Sequence, residues 1–128
     1  MKAKTHPFYV LTGHNFMALT TFRKTGQPVA TPVWFAQEGD YLYVTTQASA
    51  GKVKRIRNNA QVEVAPCDAR GTLLGESTEG MARILAHDQA NAAKQALAAK
   101  YGWQWRAFNW MMRMRGKDML FIEITPMW

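Results

Sequence analysis

Residues 28–59 decide the architecture, and they read PVATPVWFAQEGDYLYVTTQASAGKVKRIRNN. In the strand predicted over Val29–Ala36, the odd and the even positions are both mostly apolar, which is typical of a strand covered on both faces. The turn Glu38-Gly39-Asp40 separates it from a second strand over Tyr41–Thr46. Ser49 has the residue type of a helix N-cap, so the sequence predicts a helix from Ala50 to about Asn58.

The elements outside this stretch extend it into a small barrel. The other strands are predicted at Asn15–Phe22, Gln61–Ala65, Ser77–Leu85 and Met119–Ile124. Two further helices are predicted, one capped by Asp88 and running through Lys100, the other over Trp103–Met114. Six short strands that are joined by hairpins and close on themselves predict a mainly β antiparallel barrel with helical additions.

The chain of 128 residues has the length of one domain, so we treat 1–128 as a single unit. Its 16 Lys and Arg against 9 Asp and Glu give a net charge of +7, and the excess lies in blocks. Residues 1–37 (with Lys2 and Lys4), 41–62 and 89–117 hold bases and no acid. Such blocks favour an anionic partner, either nucleic acid, a membrane surface or a phosphorylated small molecule, with a merely soluble surface as the alternative.

Several classes of site are disfavoured by the residues present. His6, His14, His87 and a single cysteine, Cys67, are scattered and cannot build a structural zinc site or an internal disulfide framework. There is no nucleophile elbow, P-loop or dinucleotide fingerprint, and the few acids do not pair. No apolar run approaches the roughly 18 residues of a membrane span. We therefore expect a soluble, cytoplasmic protein without a membrane partner, in which a cofactor would supply any chemistry.

One segment combines the features of an anion site. Thr45 and Thr46 end a strand, and Ser49 and Lys52 open the helix that follows. Basic residues early in a helix oppose the helix macrodipole, so helix stability does not call for them. A phosphate bound by the helix N–H groups, the hydroxyls and Lys52 would remove that conflict, whereas a solvated basic helix face is the competing interpretation.

Four runs of sequence resemble the pyridoxamine 5'-phosphate oxidase-like (PPOX) superfamily, most closely its branch of F420-dependent oxidoreductases. The runs are Pro28–Phe35, Leu42–Thr46, Gly51–Asn59 and Val62–Gly71, and the similarity extends over about residues 12–124. The resemblance implies a six-stranded split β-barrel of the FMN-binding type, a homodimer, and FMN or F420 bound in a groove at the dimer interface.

The resemblance also implies which positions hold the cofactor. Those along the flavin ring are Ala30, Thr31, Pro32, Val33 and Trp34. Those at the ribityl chain and phosphate are Thr45, Thr46, Gln47, Ser49, Gly51 and Lys52, with Lys54 and Arg55 behind them. In pyridoxamine oxidases a basic residue opens the second-strand motif, where this chain has Pro28 or Val29, and their C-terminal substrate-binding Trp and Arg are not matched here. Pyridoxamine is therefore not the expected substrate.

These observations leave three classes of function. The first is an oxidoreductase that transfers hydride between F420 or FMN and a small molecule. The second is a non-catalytic cofactor-binding or storage protein, and the third is a small barrel that binds nucleic acid, which the apolar setting of the aromatic residues disfavours. The apolar run Trp103–Met114 is either core or dimer contact, or a lid over the ring, and its Arg106 and Arg113 either meet an acidic cofactor tail or face solvent.

Overall fold

Six strands and three α-helices make up residues 6–127, the part of the chain that the computed structural model describes. Lys2 and Lys4 lie outside it. The strands are β1 (Phe16–Phe22), β2 (Pro28–Glu38), β3 (Tyr41–Gln47), β4 (Gln61–Cys67), β5 (Thr78–Ile84) and β6 (Met119–Pro126). The helices are α1 (Gly51–Asn58), α2 (Asn91–Tyr101) and α3 (Trp103–Met114), with short 3-10 helices at Pro7–Leu11 and His87–Gln89.

The strands close into an antiparallel barrel in the order β1-β2-β3-β6-β5-β4, with β4 returning to β1. The first three strands form an antiparallel meander through the β1–β2 and β2–β3 pairings. The predicted fold class, a mainly β six-stranded barrel with helical additions, is confirmed, and the predicted ends of the strands lie at most two residues from the observed ones.

Two apolar clusters hold this arrangement. The first fills the barrel, where Phe8 and Leu11 from the 3-10 helix at 7–11 and Ile56 from α1 pack among strand residues. The second lies outside the barrel, where α2 and the start of α3 cover Tyr43 of β3 and Phe121 of β6. The two helices α2 and α3 therefore cover one part of the barrel wall, the part that includes Tyr43 and Phe121.

The start of α1 differs from the prediction. Ala50 occupies the N-cap position and the helix begins at Gly51, so Ser49 is not the cap and its side chain is exposed. A tight turn, closed by the Ala50 N–H donating to the Gln47 carbonyl at 3.0 Å, sets this geometry. The turn places Ser49 one residue before the N-cap position, so its hydroxyl does not accept from the free N–H groups at the start of α1.

The predicted cap at Asp88 is also wrong. Asp88 lies inside the short 3-10 helix His87–Gln89, and α2 begins at Asn91 with Ala90 as its N-cap. The Gln89 side chain accepts from the Ala86 N–H at 3.1 Å, which stabilises the 3-10 turn in place of a helical start at Asp88.

β2 is covered on both faces along only half of its length, which corrects the expectation of a strand buried on both sides. Phe35 and Ala36 are buried, one inside the barrel and the other beneath the helices. Ala30 and Pro32, on the same outward face as Ala36, are exposed because the helices do not reach the first half of the strand.

Phe35 is the residue at which β2 changes partner. Trp34 is the last residue paired with β1, and Phe35 is the first paired with β3. Beyond the end of β1, the Tyr101 hydroxyl replaces the missing strand: it accepts from the Phe35 N–H at 3.0 Å and lies 2.7 Å from the carbonyls of Phe35 and Asn15. Lys100 adds a second clamp, with its ammonium 2.8 Å from the Phe35 carbonyl and 2.7 Å from the His14 carbonyl.

Replacing Tyr101 with Phe should therefore destabilise the fold. The change leaves the buried Phe35 N–H without its acceptor, which costs about 1–3 kcal/mol. Urea unfolding of the variant measures the loss. Tyr41→Phe, at a tyrosine that is 42% exposed, is the control and should change the stability by less than about 0.5 kcal/mol. Equal stability of the two variants would contradict a clamp at Phe35.

The buried ammonium of Lys100 should make the stability of the fold depend on pH. Burial lowers the pKa of Lys100 from 10.5 to about 8. Between these values the unfolded chain holds a proton that the folded protein has released, so stability rises with pH. We expect the unfolding free energy of the wild type to increase relative to that of Lys100→Met as the pH is raised through about 8 towards about 10. Urea unfolding of both proteins at each pH measures this difference. A constant difference between the two proteins would contradict the lowered pKa.

Candidate functional site

The barrel opens where β2 and β3 part. Residues 28–34 of β2 pair with β1, while residues 45–47 of β3 pair with β6, so these two segments face each other without a ladder between them. A cavity of about 300 Å³ lies in this opening, which we call the split. Its walls come from Pro32, Val33 and Trp34 on one side and from Thr45, Thr46 and Gln47 on the other.

Proline explains why β2 tolerates an open edge. N–H groups alternate sides along a strand, and the Phe35 N–H points to the side of β1, where Tyr101 accepts it. Even-numbered residues therefore direct their N–H groups towards the split. Pro28 and Pro32 stand at such positions, so their missing N–H groups cost the β1–β2 ladder nothing.

The deep part of the split is apolar and partly aromatic. Trp34 stacks on Tyr101, with ring centroids 4.7 Å apart and planes 12° from parallel, and its other neighbour Phe108 lies at 5.4 Å. Phe108 and Met112 reach the cavity from α3, four residues apart on one helix face. Together with Trp34 they give this part of the split an apolar lining with two aromatic side chains.

The opposite end of the split is polar and basic. The Lys52 ammonium lies 3.5 Å from the Thr46 hydroxyl, and both side chains line the cavity. Burial, and secondarily the neighbouring Arg55 guanidinium, lower the pKa of Lys52 below its usual 10.5. The Thr45 hydroxyl is already engaged, donating to the Leu120 carbonyl at 3.1 Å. Thr46, Gln47 and Lys52 therefore give this end its polar character.

Arg55 belongs to the last turn of α1, but its guanidinium reaches back to Gly51 and adds a second positive charge near the start of the helix. Its Nε donates to the buried Thr21 hydroxyl at 2.6 Å, which fixes the guanidinium. A Cβ at position 51 would lie 2.8 Å from Arg55 Nη1, so Gly51 leaves the room that the guanidinium occupies. The first turn of α1 holds no acidic residue. Two cations and a helix N-terminus thus meet without a counter-charge on the helix, an arrangement that attracts an anion.

The structure brings some of the predicted site residues together and leaves others apart. Seven line the split: Pro32, Val33, Trp34, Thr45, Thr46, Gln47 and Lys52. Gly51 and Arg55 flank the basic end, as described above. Ala30, Ser49 and Lys54 are exposed and do not line the cavity. The Thr31 hydroxyl is buried and has no hydrogen-bond partner within residues 6–127.

Four residues of the split were missed by sequence reasoning: Phe16, Phe108, Met112 and Met119. The two from α3 lie in the apolar run Trp103–Met114, which was open to being a lid, but the sequence did not say which residues of the run face the cavity. Phe16 and Met119 begin strands, and only the assembled barrel places them at the split.

Other site types find no support in the described residues. Within residues 6–127 no three His, Cys, Asp or Glu side chains come close enough to hold a metal ion. Cys67 is buried, and burial, followed by the nearby Asp68 carboxylate, raises the pKa of its thiol, which keeps it unreactive. No helix in this part of the chain is long and apolar enough to span a membrane.

The residues of the split fit a molecule that joins a flat apolar ring to an anionic group. The ring would lie between the β2 wall and the α3 wall, and the anion would meet Lys52 and the start of α1. Lys52 is the only titratable side chain among those that line the split within residues 6–127. The site can therefore bind and orient such a molecule, but it offers no acid–base pair of its own.

Comparisons with known proteins agree with this architecture. The sequence model of pyridoxamine 5'-phosphate oxidase matches residues 4–128. No curated protein matches the chain in sequence.

Three solved structures show the same fold. The heme storage protein HutZ from Vibrio cholerae is 13% identical with a TM-score of 0.69, covering 100% of this chain and 92% of that one. A FAD-binding protein from Mesorhizobium loti is 18% identical with a TM-score of 0.67, covering 93% and 84%. An F420 reductase is 18% identical with a TM-score of 0.64, covering 98% and 97%. At these identities the likeness concerns the fold.

Proposed function

The chain belongs to the pyridoxamine 5'-phosphate oxidase family, and on that premise we propose that it is an oxidoreductase that binds F420 or FMN in the split. Hydride passes between this cofactor and a small organic substrate. The observation that carries the proposal is the unbalanced positive charge of Lys52 and Arg55 at the start of α1, beside an apolar slot. The similar folds of a FAD-binding protein and an F420 reductase support the choice of cofactor class.

The chain's own residues bind and orient the cofactor, which when bound supplies the hydride chemistry. Lys52, the Thr46 hydroxyl and the N–H groups that open α1 hold its phosphate. Pro32, Trp34 and the α3 side chains exclude water from the ring. Since no carboxylate or imidazole lines the split in the described part of the chain, a proton needed by the substrate would come from water or from the cofactor.

Non-catalytic binding or storage is the second candidate. It is favoured by the same lack of an acid–base pair and by the fold shared with a heme storage protein. The two candidates differ in whether the bound cofactor turns over. Reduced F420 or FMN is bound to the protein without oxygen and mixed with a quinone or an unsaturated ketone. An oxidoreductase oxidises the bound cofactor faster than free cofactor is oxidised, whereas a storage protein slows or does not change the reaction.

The substrate is not expected to be pyridoxamine phosphate. Pro28 or Val29 stands where the family resemblance implies the basic residue of the second-strand motif in pyridoxamine oxidases, and neither is basic. Nucleic-acid binding is also less favoured, because Tyr43 of β3 and the face of Trp34 that stacks on Tyr101 pack against the helices rather than lying open for base stacking.

A homodimer is part of the proposal. Trp103, Trp110 and Met114 are 76%, 64% and 69% exposed and form one stripe along α3, with Ala107 between them. Ala30 and Pro32 leave a second apolar area open at the split. A second copy of the chain would cover such surfaces and could complete the groove, as in the dimers that the family resemblance implies.

Lys52→Ala should weaken cofactor binding by roughly 10- to 150-fold, because a charge-assisted hydrogen bond contributes about 1.5–3 kcal/mol. Fluorescence titration with FMN and with F420 measures the affinity. The matched control is Arg57→Ala, an exposed base late in the same helix, which should change affinity by less than about threefold. Equal losses of affinity in both variants, together with loss of wild-type binding in 0.5 M salt, would contradict the proposal. They would show that the cofactor is attracted by the overall positive charge of α1 and that its phosphate is not bound specifically by Lys52.

The assembly is tested by sedimentation equilibrium at micromolar concentration. We expect a dimer with an interface of at least roughly 1,500 Å² in total. Trp110→Glu should shift it towards monomer, since a carboxylate would be buried at the centre of the stripe. Gln104→Glu, at an exposed position of α3 outside the stripe, should leave the dimer intact. A monomeric wild type would remove the dimer and the shared groove together.

A further inference from the structure

A second cavity, larger than the split, lies between α2, α3 and the start of β6. Its volume is about 540 Å³, within the range of small-molecule sites. Trp105 and Phe121 form an aromatic floor, with ring centroids 6.1 Å apart in an edge-to-face arrangement. Met119 borders both cavities, but the other lining residues differ. The space is therefore a separate compartment beside the split.

The rim of this cavity is positively charged. Lys94 from α2, Arg113 from α3 and Lys117 line it, against a single carboxylate from Asp118. The Lys94 ammonium lies 5.8 Å from the centroid of the Phe121 ring, which brings its charge over the aromatic floor. Neither ion pair found among residues 6–127, His6–Asp40 or Arg83–Glu123, uses a cation of this rim.

We propose that this cavity binds a small aromatic anion that carries a carboxylate or sulfonate directly on its ring system, unlike FMN, whose phosphate lies at the end of a ribityl chain. The ring would lie on Trp105 and Phe121, where offset and edge-to-face contacts favour aromatic partners. The acidic group would meet Lys94 and Arg113, whose guanidinium presents paired N–H donors that match the geometry of an oxyanion. The inference concerns a compartment distinct from the split, so it does not rest on flavin binding.

A matched pair of probes tests the requirement for charge. 1-Anilinonaphthalene-8-sulfonate carries the ring and the anion, whereas N-phenyl-1-naphthylamine carries the same rings without the sulfonate. Each is titrated into the full-length protein by fluorescence, with and without saturating FMN. We expect the sulfonate to bind one site per chain at least about tenfold more tightly than the neutral probe, as a desolvated ionic contact predicts, and FMN not to displace it.

Variants locate the site. Lys94→Gln and Arg113→Gln should each weaken sulfonate binding by about tenfold and leave the affinity for the neutral probe within about threefold. Arg106→Gln is the control, because Arg106 is exposed on the same helix and does not line the cavity. Thermal unfolding of the three variants checks that each is folded.

Three results would overturn the inference. The first is equal affinity for the charged and the neutral probe, which would mean that the rim cations do not contribute. The second is the same loss in Arg106→Gln as in Arg113→Gln, which would mean that the general charge of α3 binds the probe. The third is displacement of the sulfonate by FMN, which would place the anion in the split and leave the proposed function intact.

Discussion

The hydrogen bonds between Tyr101 and Phe35 are the interaction on which the rest of the site depends. At Phe35, β2 leaves β1 and joins β3, and its N–H and carbonyl on the β1 side would lack partners there. The Tyr101 hydroxyl provides one, at 3.0 Å from the nitrogen and 2.7 Å from the oxygen. Because this clamp comes from α2, the same contact fixes the helix layer against the barrel and sets the direction in which β2 runs along the split.

The two edges of the split differ in polarity. Its β2 edge carries prolines and apolar side chains, while its β3 edge carries hydroxyls and leads directly into α1. The charges that follow belong to Lys52, in the first turn of α1, and to the Arg55 guanidinium, which reaches back to Gly51. Both lie where the helix already presents positive partial charge. This arrangement is electrostatically unfavourable without a bound anion. Burial, and secondarily the Arg55 guanidinium, lower the pKa of Lys52. An anion at this point would turn an unfavourable set of charges into a favourable one.

Much of the fold could be predicted from the sequence, since alternation, turn residues and helix periods are local signals. The six strands and the three helices follow from them, and the hydroxyls and Lys52 at the β3–α1 junction could be found in the same way. The caps could not: Ser49 and Asp88 have suitable side chains, but the turns beside them place Ala50 and Ala90 at the cap positions. Contacts between distant segments, such as Arg55 with Thr21 or Phe108 with Trp34, arise only once the barrel has closed.

The most direct test of the central claim, that the split binds its ligand through Lys52, is the pKa of that side chain measured by NMR titration of the lysine side-chain signals. The signal of Lys52 is assigned by its disappearance in the Lys52 variant. In the cofactor-free protein the pKa should lie below 10.5, because of burial and the neighbouring Arg55. Saturation with FMN or F420 should raise it, since an adjacent phosphate stabilises the charged ammonium. A pKa that does not move when the cofactor binds would contradict the account.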